Sequence, residues 1–236
     1  MARQTDLLAI GDIVTDAFIK LIDNQAYVTE NDQGKWLTMQ FGTKLPFDHA
    51  EVLEGVGNAS NAAVSASRLG LKTSFVTNVG DDKEGLSMIR ALQKEKIDTS
   101  LVRVNARKVS NMHYVLWYKE ERTILINHEN YKYYWPHLRP DEIPRWVYFS
   151  SISENALEYH DQVSDWLDKH PDVKLAFQPG TFQMKAGTER LKRLYARSEV
   201  MVLNREEAEF VSGGKREDLH NMFDRLHALG CKIVVI

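Results

Sequence analysis

Cysteine is almost absent from this chain. Cys231 is the only one in 236 residues, so no internal disulfide can form, and its place between Gly230 and a β-branched run marks it as a small core residue in a reducing compartment. Apolar runs are short: none approaches the ~18 uninterrupted residues of a membrane-crossing helix. The first run carries Asp6, and no small-residue cleavage site follows it. Neither secretion nor membrane insertion is expected, which points to the cytoplasm. An excess of one charge sign is lacking too. Thirty Lys and Arg stand against 33 Asp and Glu, for a net charge of −3, and the charges are scattered. Such a balance suggests no nucleic-acid or membrane surface as partner; it suggests a small molecule. The six prolines form no linker, and no repeat or low-complexity segment occurs. What remains is 43% hydrophobic residues, enough for one domain over 1–236.

Short apolar runs alternate with helix-length segments along most of the chain. Strands are expected at 7–10, 72–79, 147–150, 173–177, 200–203 and 231–236, the last reading as a buried parallel strand. Helices are expected at 59–69, 83–94, 154–169, 185–197, 205–211 and 217–229. This alternation predicts an α/β fold, a parallel sheet with helices on both faces. Two stretches break it. Residues 20–54 hold no good helix, but "AYVTEN" and "KWLTMQFG" read as strands joined through Asp32, Gln33 and Gly34. Residues 111–126 read as a second β-ribbon turning at 119–121. Ribbons inserted there suggest a lid over the strand ends, where open α/β sheets bind ligands; edge strands with no covering role would leave the same pattern.

Three constellations could carry chemistry. In "GDIVTDAF", Asp12 and Asp16 lie just past the first strand, where carboxylates can accept hydrogen bonds from sugar hydroxyls or serve as turn and cap residues. In "GVGNASNAAVSASRLG", Gly55 and Gly57 let the backbone approach a ligand. Asn58, Ser60 and Asn61 add neutral donors and acceptors at a helix start, which suits a polyol or an ordinary Asn N-cap. It has neither a Gly-Lys-Ser/Thr phosphate loop nor the dinucleotide fingerprint. In "VMVLNREEAEFVSG", Asn204 and Glu207 have capping-box spacing, and an amide and a carboxylate at a strand end could equally hold a hydrated Mg²⁺. His113, His128 and His137 show no metal-ligand spacing. "YKYYWP" could stack a base but suits packing, and Lys192, Arg193 and Arg197 read as a solvated helix face.

In combination these segments resemble the ribokinase-like, or PfkB, carbohydrate kinases. "GVGNASNAAVSASRLGLKTSFVTNVGDDKEG" is similar to that family's N-terminal signature, and "LNREEAEFVSG" to its Asn-x-x-Glu segment. The pattern departs at Val56, where the family usually has the first of two adjacent glycines, and at Gln178, where many members have Asp or Asn. The resemblance implies a three-layer α/β/α sandwich with an inserted β-ribbon lid. It implies a kinase that moves phosphate from ATP, with Mg²⁺, to a small sugar. Asp12, Asp16, Gly57, Asn58 and Asn61 would hold the acceptor, and Asn204 and Glu207 would be linked to metal and phosphate. A homodimer through the lid is a further expectation. A nucleoside acceptor stays open, favoured if Trp36, Met39 and Phe41 stack on a base. So does a non-catalytic sugar-binding or regulatory module, because the family's Gly-Ala-Gly-Asp segment, which carries the catalytic base, is not among these 236 residues; the chain alone is therefore expected to be inactive.

Overall fold

The computed structural model describes residues 5–236. The chain runs through β1 (Leu7–Ile10), β2 (Val14–Leu21), β3 (Ala26–Asn31), β4 (Gly34–Met39), β5 (Phe47–Val56), α1 (Asn58–Arg68), β6 (Thr73–Gly80) and α2 (Lys83–Lys94). It continues through β7 (Val102–Asn105), β8 (Met112–Tyr118), β9 (Glu121–Asn127), β10 (Trp146–Phe149) and α3 (Leu157–Lys169), which follows a short 3₁₀ turn. The remainder is β11 (Lys174–Phe177), α4 (Thr181–Ala186), α5 (Lys192–Arg197), β12 (Ser198–Val202), α6 (Arg205–Ser212), α7 (Leu219–Ala228) and β13 (Ile233–Val235).

Seven strands form one parallel sheet in the order β13-β12-β11-β10-β1-β6-β7. Alternate residues of β1 serve opposite faces, as the period of two requires. Leu8 and Ile10 join a core with Val163 and Leu167 of α3, Leu194 of α5 and Met222 of α7. Ala9 joins a second core with Ala59 and Ala63 of α1 and Met88 and Leu92 of α2. Two cores on two faces make the expected α/β/α sandwich, and Cys231 is buried in the first of them.

Both expected ribbons are present, in two different sheets. β3 pairs with β4 around residues 32–33, and β8 with β9 around 119–120. The β3-β4 ribbon stands as a sheet of its own, whereas β8 and β9 are half of a second sheet, order β5-β2-β8-β9, completed by two strands that periodicity did not reveal. Asp16 is therefore not in a loop past β1; it lies within β2, opposite Leu53 of β5 and His113 of β8. The single helix expected at 185–197 is two, interrupted at Gly187, whose φ of 88° no helix admits. The solvated face expected at Arg193 and Arg197 is engaged: Arg193 bridges Asp165 and Asp168, and Arg197 donates to the carbonyls of His170, Pro171 and Val173. The last strand is not buried on both sides. Among the described residues it pairs with β12 alone, and Ile233 and Val235 are about half exposed.

The Gly-Asp-Asp turn after β6 is structural. Asp82 caps α2 by accepting from Gly85 N at 2.9 Å, and it also accepts from Ser110 N at 2.7 Å and Ser110 Oγ at 2.6 Å. Partial burial raises its pKa, but these hydrogen bonds outweigh that and hold the carboxylate below its ordinary range. Asp82→Ala removes the cap and orphans the Ser110 donors. It is expected to cost about 2 kcal/mol, read as a lowered denaturant midpoint with unchanged slope.

Candidate functional site

The order of the large sheet fixes where a ligand can sit. From β1 the chain moves to β6 and β7 on one side, then returns to β10, β11, β12 and β13 on the other. The crevice outside the carboxyl ends of β1 and β10, where the order reverses, is the general ligand position in open α/β sheets. A cleft of about 340 Å³ lies there. Asp12 enters from the turn after β1, Gly57 and Asn58 from the start of α1, Ser151 from the end of β10, and Thr181, Phe182 and Lys185 from α4. The second sheet adds Val14, His113 and Ile126, and the residues flanking β8 and β9 add Asn111 and His128.

Asp12 is the best-held group in the cleft. Its N–H donates to Ser151 O at 2.8 Å, and its carboxyl oxygens accept from Tyr133 OH at 2.9 and 3.1 Å and from Ser153 N at 2.9 Å. Burial outweighs these hydrogen bonds and pushes its pKa up to about 7. Beside it, Gly57 is the N-cap of α1 at φ 130°, a conformation few L side chains adopt, and a Cβ there would lie 3.0 Å from Asp12 O. The backbone is thus drawn tight against the Asp12 turn. Asn58 is not the expected cap; its Nδ2 crosses to Ser151 Oγ at 3.1 Å, tying α1 to the end of β10. Asn111 staples the second sheet to the core, donating to Ile13 O and accepting from Glu129 N.

The other expected residues are placed differently. Asp16 stands behind the cleft wall, with Oδ1 3.1 Å from Nδ1 of His113, which does line the cleft. Asn61, one turn into α1, is exposed and outside the lining. Asn204 and Glu207 form the capping box of α6: Asn204 Oδ1 accepts from Glu207 N, and Glu207 Oε2 accepts from Asn204 N, both at 2.9 Å. Burial raises the pKa of the Tyr148 phenol, whose hydroxyl bonds Gln178; Ser150 opposes that rise and the charge of Glu207 adds to it. Asn204 and Glu207 therefore follow β12 on the same carboxyl edge of the sheet as the cleft.

Tyr133 and the two histidines were not anticipated as site residues. "YKYYWP" reads as packing, which holds for Trp135 against Trp166 and Tyr159. Only the tertiary fold brings the Tyr133 hydroxyl to Asp12. Trp36, Met39 and Phe41 are all exposed and none lines the cleft. Among the described residues no group of three or more His, Cys, Asp or Glu could hold a metal ion. No helix among them is long and apolar enough to cross a membrane.

Fold and cleft define a doubly wound α/β protein with a ligand crevice at its switch point and a second, smaller sheet forming one wall. The chain belongs to the pfkB family carbohydrate kinases, whose family model matches residues 52–236. It is 25% identical over 201 residues to a fructokinase of Klebsiella pneumoniae, a match covering 78% of this chain and 63% of that protein. It is 34% identical over 59 residues to a ribokinase of Haemophilus influenzae, covering 25% of this chain and 19% of the relative. The chain thus spans less than two thirds of either curated relative. Among solved structures, the Arabidopsis thaliana ribokinase complexed with ribose and ATP superposes with a TM-score of 0.74 at 18% identity, covering 98% of this chain and 71% of that one.

Proposed function

We propose that the protein transfers a phosphoryl group from ATP to a hydroxyl of a small sugar or sugar-like alcohol. The observation that carries this reading is the enclosed Asp12 carboxyl on the wall of the switch-point cleft, in a chain of this family. Tyr133 and Ser153 occupy some of its lone pairs, and the rest can accept from acceptor hydroxyls. Gly57 lets the ligand approach the backbone, and Asn58 adds an amide. Asp16 acts through His113, and Asn61 joins only where the acceptor extends along α1. Holding the acceptor in one pose, away from water, is what this chain contributes to transfer by positioning. A binding-only role would share this cleft. The decisive measurements are calorimetric titrations with D-ribose, D-fructose and adenosine, each paired with ADP release from ATP. Sugar binding with no ADP release would favour the binding module, adenosine alone would favour a nucleoside acceptor, and binding of none would refute the acceptor site.

Mg²⁺ suits the other end of the site in one specific way. It keeps most of its waters and is held by one or two carboxylates plus substrate phosphates rather than by a protein cage. Glu207 fits, since one carboxylate oxygen is engaged in the capping box and Oε1 is left over. Bound with ATP, the ion supplies charge neutralisation at the transferring phosphoryl group. Glu207→Gln keeps the capping box, because an amide oxygen can accept from Asn204 N. Its melting temperature is expected to stay within about 2 °C of wild type, while the Mg²⁺ concentration for half-maximal ADP release rises. An unchanged Mg²⁺ titration would leave Glu207 a cap and no more.

The lid role of 20–54 and 111–126, and a homodimer formed through it, belong to the same reading. Register places Val52, Ala17, Tyr114 and Leu125 in one row across the second sheet. Val52, Tyr114 and Leu125 of that row are exposed. An exposed apolar row on a sheet face suits a second copy of the chain.

A further inference from the structure

α4 is set firmly against the cleft. Gly180, just before it, comes so close to the end of β10 that a Cβ there would lie 2.8 Å from Ser151 Cα. Gln183 is buried behind it: its Oε1 accepts from Gly180 N at 2.8 Å, and its Nε2 donates to His160 Nε2 at 3.1 Å. That imidazole nitrogen can accept because Nδ1–H donates to Ala156 O at 2.6 Å and because burial holds the ring's pKa down to about 4. The backbone carrying Thr181, Phe182 and Lys185 is thereby fixed in place.

From there Lys185 is aimed at the cleft. Residues i and i+4 share a helix face, and side chains lean toward the helix N-terminus. Lys185 stands one turn beyond Thr181, and its Nζ is 6.0 Å from the centre of the Phe182 ring, so the side chain runs back toward the start of α4. Phe182 in turn meets the His128 ring edge to face. All four residues line the cleft.

Among the described residues of the lining, Lys185 is the one Lys or Arg, and neither an ion pair nor a hydrogen bond engages its ammonium, which solvent reaches. The next arginines along the chain are used within the fold: Arg190 grips Asp161 with two bonds, and Arg193 bridges Asp165 and Asp168. A single free cation in a cleft selects the charge of what enters it. Its one charge balances one carboxylate, whereas a phosphate monoester brings about −1.5 to −2 near neutral pH. The surplus would face the Asp12 carboxyl, which is partly ionised there.

We propose that the acceptor is a sugar acid, a polyol bearing one carboxylate, and that Lys185 is the specificity-determining residue whose ammonium meets that carboxylate while Asp12 receives hydroxyls. The inference rests on the acceptor-site reading above and names its substrate class. A neutral sugar of the same shape still binds, but without the charged contact.

The test uses matched pairs of probes in calorimetric titrations without ATP: D-glucose and D-glucuronate, D-sorbitol and D-gluconate, D-fructose and D-fructose 6-phosphate. Wild type is expected to bind at least one of the two acids about five- to tenfold more tightly than its neutral partner, the size of a charged hydrogen bond that water partly screens. Added salt should shrink that preference. Lys185→Gln is expected to lose it and Lys185→Arg to keep it within about twofold, with melting curves unchanged, since the side chain is exposed and all three residue types suit a helix. Equal affinities within both acid pairs, a preference that survives Lys185→Gln, or a preference for the phosphate alone would overturn the inference while leaving the acceptor site standing. Failure of the wild type to bind any of the six probes would overturn both.

Discussion

Asp12→Asn is expected to stabilise the chain at about pH 8 and to remove its affinity for the acceptor. The wild-type carboxyl ionises at 3.8 when exposed in the unfolded chain and at about 7 when buried in the fold. Below pH 3.8 it is protonated in both states and costs nothing. As pH rises the unfolded chain releases the proton first, so native stability falls steadily until the folded carboxyl also ionises near 7, and is flat beyond. A displacement of that size corresponds to about 4 kcal/mol. Asparagine has no charge to bury. Its amide oxygen can accept from Ser153 N, and its NH₂ can donate to the Tyr133 hydroxyl, so the local network survives with one bond reversed. The gap in melting temperature between variant and wild type should open from near zero at about pH 4 to roughly 10 °C at about pH 8. Equal pH profiles would show that Asp12 is not a destabilising buried charge. Weaker acceptor binding in the more stable variant would mark a residue kept for function at a cost in stability.

The doubly wound core was legible because its signals are local. β1, β6, β10, β11 and β12 are short apolar runs between helices whose ends carry their own punctuation, such as Asp82 before α2 and Asn204 before α6. β2 and β5 were not legible, because their side chains answer to partners far along the chain. The run 14–21 reads "VTDAFIKL" and mixes polar and apolar residues on both faces; its identity as a strand comes from pairing with 47–56 and 112–117. The break at Gly187 was missed because helix-forming residues flank it on both sides, while its φ of 88° is set by the path of the backbone.

The cleft was half legible for the same reason. Asp12, Gly57 and Asn58 could be named because glycine, amide and carboxylate at a strand or helix boundary have a chemical reading of their own. Tyr133 could not, since a tyrosine beside Trp135 and Pro136 carries no signal that its hydroxyl will meet a carboxyl 121 residues away. The histidines have no metal-ligand spacing in the sequence, and nothing else in it marks them as neighbours. Pairing of β8 with β2 sets His113 opposite Asp16, and His128, just past the end of β9, meets the other side of the His113 ring.

Asp16→Ala is expected to weaken acceptor binding by ten- to a hundredfold, although Asp16 does not line the cleft. The charge of the carboxylate, 3.1 Å from His113 Nδ1, favours the proton on that nitrogen; without it the His113 ring is free to carry its proton on Nε2, where it would face the N–H of His128 at 2.8 Å. Two donors cannot share that contact, so one ring must turn or change tautomer, and the cleft wall formed by His113 and His128 loses its fixed pattern. Stability should change little, because Asp16 and His113 each keep some contact with solvent and a partly exposed pair of this kind contributes about 1 kcal/mol or less. Asp16→Asn separates positioning from bulk: its amide oxygen stands beside His113 Nδ1 and still favours the N–H there, so it should bind the acceptor at least about tenfold more tightly than Asp16→Ala, in spite of its lost charge. Calorimetric titration of the three proteins with the sugar that wild type binds, beside their melting curves, decides the point. If alanine and asparagine bind equally well, the Asp16–His113 pair is not what orders the cleft; if alanine collapses the melting temperature, Asp16 is holding the second sheet together rather than orienting a ring.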